Sequence, residues 1–83
     1  MTLVKKLTYA NSTDHALELW LEPWAEKYMI PPKRTVDVIV QNGREDEFLE
    51  IDHCADFVVI HGPKIGVVYI YLDGKEMEQS PQT

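Results

Sequence analysis

The sequence predicts an all-β fold, a single small antiparallel β-sandwich or partly open barrel of about seven strands. Three observations carry this expectation. Apolar and polar residues alternate with a period of two through most of the chain, as they do when one sheet face is buried and the other meets water. Turn-forming residues punctuate these runs about every eight to twelve positions. The 83 residues are enough for one continuous core and too few for two.

The elements follow in order. Leu3 to Tyr9 is an opening strand with Leu3, Leu7 and Tyr9 on one face and Lys5 interrupting the stripe. Asn11-Ser12-Thr13-Asp14 ends it, because these side chains bond back to their own backbone. It also matches the glycosylation sequon, but it reads as a turn. From Ala16 to Trp24, Leu17, Leu19 and Leu21 alternate with Glu18, Trp20 and Glu22. A helix over Thr13 to Tyr28 is the alternative, with Thr13 or Asp14 as its cap. Pro23 would break that helix at a cost of about 3 kcal/mol, and the leucine spacing would scatter its apolar side. Pro31-Pro32 forces a corner before the next strand, where Val36, Val38 and Val40 alternate with Asp37, Ile39 and Gln41.

Asn42-Gly43 and Asp73-Gly74 are hairpin signals, since each supplies residues tolerant of positive φ. Leu49 and Ile51 alternate with Glu50 and Asp52, and Phe57 to Ile60 is apolar on both faces, as in a short central strand. Gly62 to Gly66 is a loop. The last long strand sets Val68, Ile70 and Leu72 on one face and Tyr69 and Tyr71 on the other. The domain is expected to span residues 1–77, with a frayed polar tail over 78–83.

Composition narrows the function classes. Eight basic against fourteen acidic residues leave a net charge of −6, a poor match to phosphate backbones, so no nucleic-acid partner is expected. No apolar run approaches the roughly 18 residues of a membrane-spanning helix, and residues 1–7 lack a signal-peptide core, so no membrane partner is expected. Hydrophobic content of 45% is that of a folded chain. The single cysteine, Cys54, cannot close an intrachain disulfide, which favours a reducing, cytoplasmic setting.

Asn11-Ser12-Thr13, Leu19-Trp20-Leu21-Glu22-Pro23-Trp24 and Tyr28-Met29-Ile30-Pro31-Pro32 together carry a resemblance. The stretch resembles small uncharacterised bacterial β-sandwich proteins that read Asn-x-Ser/Thr, Leu-Trp-Leu-Glu-Pro-Trp and an apolar residue before Pro-Pro-Gly. It is also similar, more faintly, to the β domain of the von Hippel–Lindau protein, which pairs Asn-x-Ser with a Leu-Pro-Pro-Gly turn. The resemblance covers the first third of the chain and implies a fold, no activity and no binding residue. This sequence departs from the pattern at Lys33, where the pattern has glycine, so the corner need not keep its geometry.

Inward leucines send Glu18, Trp20 and Glu22 outward, with Trp24 beside them unless a bulge at Pro23 turns it inward. Tyr69 and Tyr71 are the outward pair of the last long strand. Aromatics among carboxylates suit a protein partner or a sugar ring. These six are the expected binding residues. His15, His53, Cys54 and His61 lack the close pairing of a zinc or blue-copper site, so no metal is expected. The acidic stretches Glu45-Asp46-Glu47 and Glu50 to Asp56 lack a calcium-loop register, and Asp52 and Asp56 beside His53 read as a turn. No phosphate loop, activated nucleophile or cofactor motif is present. The expectation is a non-catalytic binding module, engaging a protein partner or a second copy of itself. A carbohydrate or small-ligand module is the alternative, and a small hydrolase comes third.

Overall fold

The computed structural model describes residues 4–43, 49–63 and 66–80. They form eight strands: β1 (Val4–Ala10), β2 (Leu17–Glu22), β3 (Glu26–Ile30), β4 (Thr35–Gln41), β5 (Glu50–His53), β6 (Phe57–His61), β7 (Val67–Leu72) and β8 (Lys75–Glu76). Two four-stranded sheets result, ordered β1-β4-β7-β8 and β3-β2-β6-β5, and neither closes into a barrel. The chain alternates between them, so each of the corners after β1, β3, β4 and β6 is a crossing from one sheet to the other.

The core lies where the inward residues of both sheets meet. Val36, Val38, Val40, Val68 and Ile70 come from one sheet, and Leu19, Leu21, Tyr28, Ile30, Val58 and Ile60 from the other; all are buried. These are the period-two positions of the sequence, because a strand with one apolar face is stable only when that face leaves water. Leu7, Tyr9, Leu17, Leu49, Ile51, Leu72 and Met77 pack around them.

Three local expectations need correction. The second strand stops at Glu22, and residues 22–25 reverse the chain so that Leu21 pairs with Glu26 and β3 runs back beside β2. Ala25 takes the left-handed conformation (φ 55°) that lets this turn close, and the Glu22–Pro23 peptide is cis. Asn42 has the expected positive φ of 61°, yet it makes no hairpin between β4 and β5, which belong to different sheets. One pair, β2–β6, is parallel, with Trp20 opposite Val59 and Glu22 opposite His61; the other strand pairs are antiparallel. Asp73-Gly74 does form a hairpin, with φ of 55° and 77° and Leu72 paired to Lys75, and β8 is the short strand it adds. The acidic residues Glu45, Asp46 and Glu47 lie outside the described residues, as do Leu3, Lys64, Ile65 and 81–83.

Side-chain and main-chain links hold the crossings. Asn11, only 2% exposed, sits between the corners after β1 and β3. Its Nδ2 lies 2.9 Å from the His15 carbonyl and 3.1 Å from those of Ile30 and Pro31. Its Oδ1 accepts from the Thr13 N–H at 3.0 Å, and its own N–H donates to Arg34 O at 2.8 Å. A nitrogen engaged in this way is not open to a glycan. Along one side of the sandwich the Tyr9 hydroxyl of β1 approaches Nε2 of His53 at the end of β5 at 3.1 Å. Along the other, the Ser80 N–H donates to Lys27 O on β3 at 2.7 Å.

Candidate functional site

The outer face of the β3-β2-β6-β5 sheet follows from the core. Leu19 and Leu21 point in, so Glu18, Trp20 and Glu22 point out; Val58 and Ile60 point in, so Phe57, Val59 and His61 point out. The strand register lines them up. Lys27, Trp20, Val59 and Asp52 form one row across the sheet, Met29, Glu18 and Phe57 a second, and Glu22, His61 and Glu50 a third. Strand β6 is apolar on both faces, but among the described residues only its inner face is covered. Phe57 is 36% and Met29 37% exposed, and Val59 and Trp20 are half-buried.

Between β2 and β5 this face is hollowed into an open depression of ≈ 580 Å³. Trp20, Phe57 and Val59 make its apolar floor, while Glu22, Asp52 and His61 bound it. Asp52 Oδ2 and His61 Nε2 lie 2.9 Å apart, both side chains about half exposed. A smaller hollow of ≈ 250 Å³ adjoins it at Glu22, Pro23 and His61.

Each sequence-predicted residue has a definite place. Glu18 accepts a hydrogen bond from the Trp20 indole N–H, which fixes the ring on the sheet. The Lys27 ammonium stands over the Trp20 ring, 5.9 Å from its centroid. Glu22 borders both hollows, and its carbonyl accepts from the Gly62 N–H at 2.7 Å. Trp24, 40% exposed, lies on the turn with its ring against Gly62, where an added Cβ would come within 2.6 Å of Trp24 Cζ3. Trp24 is therefore neither on the β2 face nor in the core. Tyr69 and Tyr71 lie on the outer face of the other sheet, their ring centroids 6.5 Å apart. There they pair with Ile39 and Asp37, and Lys6 Nζ stands 3.7 Å from Asp37 Oδ2. The structure thus brings Glu18, Trp20 and Glu22 together and sets the tyrosines on the far side of the sandwich.

No family model, no curated protein and no solved structure matches the chain. Phe57, Val59, Asp52 and His61, with Ala25, His53 and Cys54 beside them, line the depression without having been expected there. The available signal was the doubly apolar run from Phe57 to Ile60, whose outer side no described strand covers.

Of the histidine and cysteine set, His53, Cys54 and His61 border the depression and His15 sits in the corner after β1. Among the described residues, no three or more His, Cys, Asp or Glu side chains are placed to share a metal ion. The arrangement offers an aromatic floor, carboxylate acceptors and an imidazole held by Asp52. Those groups can stack, accept charged donors and exclude water from an apolar side chain.

Two buried-face tyrosines are perturbed. Burial, reinforced by the nearby Glu26 and Glu76 carboxylates, pushes the Tyr28 hydroxyl well above the ordinary phenol range; that hydroxyl donates to Glu26 Oε1 at 2.8 Å. Burial also raises Tyr9.

Proposed function

We propose that this is a non-catalytic binding module of the cytoplasm that takes a protein partner on the outer face of the β3-β2-β6-β5 sheet. The observation that carries the reading is the solvent-facing depression on two central strands, floored by Trp20, Phe57 and Val59. Apolar side chains gathered on the outer face of a small domain mark an interaction surface, with aromatic anchors at its centre and polar groups at its rim. The exposed, unpaired Cys54 thiol supports a reducing setting.

The face suits a partner better than the sheet edges do. Strand β8 has two residues and β5 four. Half-buried Lys5 lies on the inner side of β1, a placement that discourages strand addition, and Ser80 occupies a carbonyl of β3. A second copy is also disfavoured on this face, because its carboxylates would oppose themselves.

The test compares the wild type with Phe57→Asp and Tyr69→Ala in affinity capture. The captured partner is then identified and titrated in purified form. The expected result is at least a tenfold loss of affinity for Phe57→Asp and little change for Tyr69→Ala. An unchanged affinity for Phe57→Asp overturns the reading.

A small ligand such as an oligosaccharide is the second reading. The depression's ≈ 580 Å³ falls in the range of ligand sites, and an indole beside carboxylates suits a sugar ring. Amide shifts at Trp20 and Val59 on titration with oligosaccharides would support it.

A further inference from the structure

We propose that the depression between β2 and β5 seats an arginine side chain presented by the partner, an inference that rests on the docking reading above. Charge is the first argument. The outer face carries Glu18, Glu22, Glu50 and Asp52 against the single cation Lys27 among the described residues. Lys27 stands over the Trp20 ring and does not itself line the depression. Glu22 and Asp52 bound the opening, and no Lys or Arg lines it among the described residues. Two of the four outer-face carboxylates thus stand at the rim of the aromatic floor, Asp52 held there by His61, and no described Lys or Arg lines the opening between them.

The shape of the floor is the second argument. Trp20, Phe57 and Val59 offer flat apolar surface with carboxylates at the rim. A guanidinium is planar and weakly hydrated; it stacks on aromatic rings while its in-plane N–H groups bond carboxylates two at a time. A lysine ammonium is more strongly hydrated and bonds as a point charge, so it gains less from this floor. The Trp20 ring already accepts a cation at 5.9 Å from Lys27, which places it among rings suited to such contacts.

Titration of the ¹⁵N-labelled full chain with the peptide acetyl-Gly-Leu-Arg-Leu-Gly-amide tests the proposal. Its counterparts carry lysine or the uncharged isostere citrulline in place of arginine. The expected amide shifts cluster at Trp20, Asp52, Phe57 and Val59. The expected affinity falls from arginine to lysine to citrulline, with citrulline about tenfold or more weaker. Glu22→Gln with Asp52→Asn removes the preference for arginine over citrulline while the spectrum stays that of the folded protein. Equal shifts by the citrulline peptide at the same residues overturn the arginine assignment and leave the docking face standing. Shifts confined to Tyr69 and Tyr71 overturn both. No shift with any peptide overturns the arginine assignment, and the Phe57→Asp affinity then decides separately for the docking face.

Discussion

Asn11 does more for this fold than its place in a turn suggests. A buried polar side chain is tolerable only when its hydrogen bonds are made, and Asn11 makes them to two corners at once. Asn11→Ala would leave buried carbonyls without a donor, at about 2–4 kcal/mol, read as a lower denaturant midpoint. A loss under about 0.5 kcal/mol would mean that other groups or water take its place. Tyr28 makes a second prediction, with a sign. Its phenol is held neutral by burial, so the folded state resists ionisation that the unfolded chain undergoes near pH 10. The stability it contributes is complete below about pH 10 and is lost as the pH rises further toward the raised folded value. Tyr28→Phe should flatten that alkaline decline, measured by denaturant unfolding at stepped pH. An identical decline in the variant would assign it to other groups. The sequence announced Asn11 as a turn former, but two of the three carbonyls it serves belong to residues nineteen and twenty positions away, beyond any local pattern.

The strands that the sequence revealed are those with one wet face. In β2, β4 and β7, alternation named the inward residues, and the same alternation named Glu18, Trp20 and Glu22 as outward. Strand β3 was hidden because the reversal before it uses Pro23, Trp24 and Ala25, without a glycine or asparagine to mark it. The parallel pairing of β2 with β6 was hidden too, since a central strand's neighbour is set by packing between distant segments. That pairing is what places Phe57 and Val59 beside Trp20, so half of the site was illegible until the topology was known. The corner after β3 gives a sharper case. Lys33 adopts φ 60°, the conformation glycine takes without strain, at the position where the resembling pattern has glycine. Its Nζ donates to Ser12 O at 2.7 Å and lies 3.4 Å from Asp14, but both contacts are exposed and weak. Lys33→Gly is expected to leave stability unchanged or raise it by up to about 1 kcal/mol. A loss above about 1 kcal/mol would show that the lysine contacts outweigh the backbone relief.

At the scale of the whole molecule, the two outer faces differ in kind. One joins Tyr69, Tyr71 and Ile39 with the Lys6–Asp37 ion pair. The other carries, among the described residues, four carboxylates, one lysine and an open aromatic floor. The net charge of −6 reads differently in that light. Outward carboxylates in a sandwich are ordinarily a wet surface, yet Glu22 and Asp52 border the depression. The two layers are tied along both sides, by Tyr9 to His53 and by Ser80 to Lys27, so the floor is carried on a braced sheet rather than on a loop. The most direct test is site-specific photo-crosslinking in cells that make the protein, with a photoreactive residue placed at Val59 in one variant and at Ile39 in another. Each position is central to its face. The account predicts discrete adducts from Val59 and none from Ile39. Adducts from Ile39 alone, or from neither position, would contradict it.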